Sequence, residues 1–263
     1  MISISSAQLD TWLALFVFPL SRILALLATA PLFSNAALPV RVRLIAGLAI
    51  TLALAPALPP PPAIPASSWI GLIVLGEQIL IGVLLGFALR ITFAAVDLAG
   101  ELIGLQMGLS FATFFDPASG GQTPVITEFL ALLTTLIFLS LNGHLLALSV
   151  LAESFTLLPV STTPIHATAF SSLLAWSATL FSTGVLLSLP LITALLIANI
   201  ALGVLARIAQ QLNLFAVGFP VTLALGFLVL LLSLPYIGAA LEGLFASGFR
   251  AMGMVMRAAG NPL

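Results

Sequence analysis

Gly108-Leu-Ser-Phe-Ala-Thr-Phe-Phe-Asp-Pro-Ala-Ser-Gly-Gly-Gln-Thr-Pro124 lies midway along an otherwise strongly apolar chain. Phe111, Phe114 and Phe115 make this stretch too apolar for a solvated linker. Asp116-Pro117 and Gly120-Gly121 are turn chemistry that breaks a helix. The stretch therefore reads as a compact, non-helical apolar segment between membrane helices. Lipid cannot hydrogen-bond the free N–H and C=O groups of such a backbone, so at membrane depth protein must cover it or it must line a cavity.

The composition on either side fits that reading. Hydrophobic residues make up 61% of the 263 positions and charged residues only 6%, with a mean hydropathy of +1.28. A soluble domain carries about a quarter charged residues, so this is a polytopic membrane protein. A net charge of -1 gives no basic surface to displace counterions from phosphate, which excludes a nucleic-acid partner. Without cysteine there is no disulfide framework and no thiolate chemistry. The first ten residues lack the positive region of a signal peptide, and the apolar run after them is expected to stay as a first membrane helix.

A spanning helix needs about 20 apolar residues, and about six segments reach or approach that length. The pattern predicts helices over about 11–30, carrying Pro19 and Arg22, and over about 41–58, opened by Arg41 and Arg43. The run Pro59-Pro-Pro-Pro62 with Pro65 cannot be helical and reads as an extended, uncharged spacer. A third helix runs from about 68 to 106. Thr123-Pro124 reads as an N-cap with proline at the first helical position, opening a fourth helix that continues through Asn142-Gly143-His144 to about 155. A fifth helix, bent at Pro190, covers about 167–208. After a tight hairpin over 210–220, a sixth helix covers about 220–249, interrupted near Pro235. The fold class is all-α, with membrane-type helical hairpins, kinks and one buried apolar loop. We divide its single embedded domain, 1–263, into N-terminal helices 1–110, a loop 111–124 and C-terminal helices 125–263 with a hairpin near 208–220. Arginine placement orients the chain weakly. Arg41, Arg43 and Arg207 fall on one side, cytoplasmic by the positive-inside rule, but Arg250 and Arg257 fall on the other.

The third helix holds most of the chemistry. Arg90, Asp97 and Glu101 are spaced by seven and four residues, which brings them into one narrow sector of a helix. Facing all three into lipid would cost about 8–10 kcal/mol, so they must pair with one another or with other chains. Gly82/Gly86 and Gly100/Gly104/Gly108 repeat at four-residue spacing, which lets helix backbones approach closely. Ordinary helix packing accounts for the glycines alone. Together with the charged stripe, Gly100, Gly104 and Gly108 make a candidate assembly interface.

Catalytic patterns are lacking. His144 and His166 lie in different segments, and no His/Glu pair has zinc-protease spacing. No serine sits in Gly-x-Ser-x-Gly, and Ser119 before Gly120-Gly121 is a turn residue. Asp116 before a proline begins a turn more often than it catalyses, and His144 reads as a hydrogen-bonded packing residue. Neither an enzyme nor a cofactor is expected.

An ordered set of short words remains: Gly-Leu-Gln-Met-Gly-Leu-Ser-Phe-Ala (104–112), Asp-Pro-x-x-Gly (116–120), Asn-Gly-His (142–144), Ser-Phe-x-x-Leu-Pro (154–159) and Gln-Leu-Asn-Leu-Phe-Ala-Val-Gly-Phe-Pro (211–220). By these words the chain resembles the FliR family of flagellar export-gate proteins, itself similar to the SctT proteins of injectisomes. Each word alone is weak, but the set spans essentially the whole chain. One departure is Gln210, where the family usually has proline.

The resemblance implies a subunit of the flagellar type III export gate in the bacterial inner membrane, within the flagellar basal body. It implies FliP and FliQ as partners in a helical assembly, with FlhB and FlhA completing the machinery and unfolded flagellar proteins as the substrates. It further implies that the loop after the third helix plugs the central pore, with Phe111, Phe114 and Phe115 as the seal and Asp116, Pro117, Gly120 and Gly121 as the turn residues that let it swing. Two alternatives stay open: an SctT-type injectisome subunit, and a small-molecule transporter or channel with the third helix as its path.

Overall fold

The computed structural model describes residues 6–35, 37–59, 64–65, 68–109, 124–209 and 214–260. Every regular element within them is helical: α1 (Ser6–Thr29), α2 (Val40–Leu54) with a 3-10 turn (Ala55–Ala57), α3 (Trp69–Gln106), α4 (Val125–Ser140), α5 (Gly143–Leu157), α6 (Thr168–Ile208) and α7 (Leu214–Gly260). Among the described residues five stretches are long and apolar enough to cross a membrane, and α4 with α5 makes a sixth if that broken pair counts as one. The all-α membrane class is thus the observed one. The proline spacer falls mostly on residues 60–63, outside the described residues.

Local chemistry explains the boundaries. Ser68 starts α3 by accepting the Gly71 N–H on its Oγ at 3.0 Å, the bond an N-cap supplies to a donor with no helical partner. Pro124 takes the N-cap position of α4, one residue earlier than the first helical place expected for it.

Two expectations are corrected. The fourth helix does not run through Asn142: the chain breaks there into α4 and α5, with Asn142 in the left-handed region at φ 56° and ψ 29°. Asparagine is among the few non-glycine residues that enter that region at low cost, so Asn142-Gly143 is a helix breaker that apolar periodicity on either side conceals. The last helix does not begin at Pro220, is not interrupted at Pro235 and does not end near 249 but continues to Gly260. It begins at Leu214 and carries both prolines inside one continuous α7. Apolar membrane helices tolerate proline because neighbouring groups take up the freed carbonyls.

The chain forms two compact units, and α3, α6 and α7 each contribute to both. The first comprises Met1–Ile91, Asn142–Ser177 and Phe245–Leu263. Phe18, Leu26 and Leu27 of α1, Leu85 and Leu89 of α3, Phe155 of α5 and Met252 of α7 are buried in it. Apolar contact gains little in lipid, so close backbone approach has to hold such helices together. Gly82 and Gly86 serve that approach: a Cβ on Gly82 would meet the Arg22 carbonyl and Ala25, and one on Gly86 would meet Thr29. The Trp176 indole N–H donates to the Ala88 carbonyl at 2.9 Å, tying the start of α6 to α3.

The second unit comprises Thr92–Leu141 and Ala178–Leu244. Phe93 and Phe138 meet edge to face, with centroids 5.4 Å apart and ring planes at 68°, an arrangement aromatic pairs favour. Gly184 of α6 lies against the Ala95 carbonyl and Leu98, and Gly226 of α7 lies against the buried Met107.

Candidate functional site

The base of the central loop is well defined. α3 ends in a Schellman motif: Gly108 adopts φ 81°, its N–H bonds the Leu105 carbonyl at 3.1 Å, and the Leu109 N–H bonds the Gly104 carbonyl at 3.0 Å. Gly108 therefore sits past the helix end, in the left-handed place that glycine fills without a Cβ penalty. On the return, Pro124 stands beside Gly104, and a Cβ on Gly100 would come within 2.6 Å of the Thr127 Cα. Residues 110–123 thus leave from the end of α3 and rejoin where α4 is packed back onto the same helix. The plug residues Phe111, Phe114, Phe115, Asp116, Pro117, Gly120 and Gly121 all lie outside the described residues.

The expected interface residues divide into two groups. Gly100 and Gly104 are buried, Gly100 in close approach to the chain's own α4 and Gly104 in ordinary contact with Pro124, and Gly108 serves as the helix stop. Arg90 and Glu101 are exposed on α3 and Asp97 is half-buried. The open surface of α3 therefore includes Arg90 and Glu101 beside exposed apolar side chains such as Ile79, Phe87 and Leu105.

A buried polar cluster in the first unit was not anticipated. Arg22 of α1 is fully buried, and all of its N–H donors are used. Nε donates to Gln78 Oε1 at 2.9 Å and Nη2 to the same oxygen at 2.5 Å and to the Leu158 carbonyl at 2.8 Å. Nη1 donates to the Ser154 carbonyl at 2.9 Å and to Ser154 Oγ at 3.1 Å. The guanidinium carbon also stands 4.1 Å from the centroid of the Phe155 ring, a cation–π contact. The acceptors are neutral, but two of them are carbonyls at the C-terminal end of α5, where the helix dipole is negative. Arg22 thus caps α5 from a neighbouring helix. The word Ser-Phe-x-x-Leu-Pro at 154–159 is its receptor, supplying the Ser154 hydroxyl and carbonyl, the Phe155 face and the Leu158 carbonyl. With five hydrogen bonds in place the guanidinium has no donor left for a ligand. It is a fastening between α1, α3 and α5.

An arginine and a glutamine inside apolar helices carried the signal for this cluster, since ionisable groups at membrane depth are retained for a purpose. Gln78 and Leu158 also border a cavity of about 340 Å³ with Glu77, Pro159 and His166. Among the described residues no three His, Cys, Asp or Glu side chains converge as a metal site would need.

Residues 13–248 match the family model described as Bacterial export proteins, family 1. The chain is similar to flagellar biosynthetic protein FliR of Escherichia coli (strain K12), 44% identical over 252 residues and covering 96% of each chain. It is also similar to the proteins of the same name from Pectobacterium carotovorum subsp. carotovorum, 47% identical over 249 residues with 95% of each covered, and from Bacillus subtilis (strain 168), 31% identical with 90% of this chain and 92% of the other covered.

Proposed function

The chain belongs to the family Bacterial export proteins, family 1, and from that premise we propose that it is a structural and gating subunit of the flagellar type III export gate. In this reading it is not an enzyme. It lies in the bacterial inner membrane within the flagellar basal body and forms with FliP and FliQ the pore for unfolded flagellar proteins. FlhB and FlhA are further partners.

The observation that carries the assembly reading is the length and openness of α6 and α7. With 41 and 47 residues they measure about 60 and 70 Å along their axes, about twice the hydrocarbon core of a bilayer. They are apolar along that length, yet within an 18-residue apolar stretch of each only 17% of the residues are buried in the chain, although the end of α7 around Met252 and Val255 is covered. Lipid cannot cover so much apolar helix in a single crossing, so neighbouring apolar helices of other subunits are the fitting cover. In contrast, 61% of the corresponding 18-residue stretch of α3 is buried, as befits a helix that packs within its own chain.

The loop 110–123 is the gate element of this proposal. Its two ends are fixed at Gly108 and Pro124, and between them Phe111, Phe114 and Phe115 seal the closed pore by dry apolar packing. Asp116-Pro117 and Gly120-Gly121 supply the turns about which it moves. Deleting residues 111–121 is expected to raise ion leakage across membranes that contain the assembled gate. Unchanged conductance together with normal secretion of flagellar proteins would sink the plug assignment.

A further inference from the structure

Within the first unit the start of α6 lies against the end of α7. The His166 N–H donates to the Ala259 carbonyl at 3.1 Å and the Thr168 hydroxyl to the Ala258 carbonyl at 2.6 Å, which satisfies carbonyls left without helical partners at the end of α7. Beside this junction opens a cavity of about 690 Å³, bordered by Leu157, Thr168, Ser171, Ser172, Met254 and Arg257. Among the described residues Arg257 is the one charged side chain in its lining.

The arginine is not capping its own helix. Its Nη2 lies 3.6 Å from where a Cβ on Gly253 would stand, so the side chain runs back one turn toward the N-terminal end, the direction helical side chains favour. Glycine at 253 leaves that space open. Among the described residues the Arg257 guanidinium has no hydrogen bond and no ion pair. Arg250 on the same helix, by contrast, bonds Ser247 Oγ at 2.9 Å. The hydroxyls of Ser171 and Ser172 both donate to the Thr168 carbonyl at 2.9 Å, and Thr168 donates to Ala258. The donors left facing the cavity are therefore those of Arg257.

Next to this cation the wall turns apolar, with Met254 53% and Leu157 40% exposed. A forked cation at the end of a membrane-capable helix, bordered by apolar side chains, matches one ligand chemistry: a phosphate carrying acyl chains. We propose that this cavity seats the headgroup of an anionic phospholipid, with Arg257 binding the phosphate and Met254 and Leu157 alongside the first carbons of the lipid.

The test uses the full chain purified in detergent and native mass spectrometry. It compares retention of phosphatidylglycerol with that of phosphatidylcholine of the same acyl chains. One basic residue near a lipid phosphate is worth about fivefold, so about fivefold preferential retention of phosphatidylglycerol is expected. Arg257→Gln should abolish the preference. Gly253→Leu, which fills the space the guanidinium occupies, should abolish it with the charge intact, and Arg250→Gln should leave it. Equal retention of the two lipids by the unaltered chain overturns the proposal, as does an undiminished preference in Arg257→Gln or its loss in Arg250→Gln. Displacement of the lipid by millimolar inorganic phosphate also overturns it, because it would make the cavity a site for free phosphate.

Discussion

Arg22 shows how a single residue can organise a membrane helix bundle. Burying a guanidinium costs several kcal/mol unless its donors and its charge are met, and here five hydrogen bonds, an aromatic face and a helix C-terminus meet them. Lysine keeps the charge but lacks the fork, so it cannot reach Gln78, Ser154 and Leu158 together. Arg22→Lys and Arg22→Met are each expected to destabilise the purified chain by about 3–5 kcal/mol, read as a lower thermal midpoint in detergent. Adding Gln78→Leu to Arg22→Met should recover part of the loss, because it removes a buried acceptor left without a donor. If Arg22→Lys melts like the unaltered chain, the cluster is not the fastening described.

At the scale of elements, the contact between α3 and α4 depends on which glycine faces which atom. A Cβ at Gly100 would stand 2.6 Å from the Thr127 Cα, whereas one at Gly104 would be 3.9 Å from Pro124 Cβ, an ordinary contact. Gly100→Ala should therefore force α4 away at a cost of about 1–3 kcal/mol, and Gly104→Ala should be tolerated. Thermal melting of the two variants side by side checks this, and equal midpoints would refute the packing argument. The four-residue glycine spacing was legible in the sequence as close approach, but not its partner. Gly108 belongs to the same spacing yet does a different job, because the helix ends before it and its positive φ stops α3. The break at Asn142 escaped the reading for the opposite reason: the apolar pattern continues on both sides, and only the backbone angle of one residue separates α4 from α5.

For the whole molecule, the open faces of α3, α6 and α7 matter most to the proposed assembly. Arg90 and Glu101 are exposed and Asp97 is half-buried on α3, where charged groups turned toward lipid are costly. Asp97→Ala and Glu101→Ala are each expected to lower the recovery of complexes with FliP and FliQ severalfold in affinity purification, and normal yields would exclude the charged face from the interface. The membrane class, the number of long apolar segments and the start of the third helix near residue 68 were determined by the sequence itself, because composition and apolar runs act locally. Tertiary structure decided the rest. It brought Arg22 to acceptors 56, 132 and 136 positions away and closed Gly100 onto Thr127. It also turned the word at 154–159 into a receptor for a distant arginine. In an apolar chain most helix faces look alike to periodicity, so which faces meet is settled only when the few polar groups find partners and the glycines find backbones to touch.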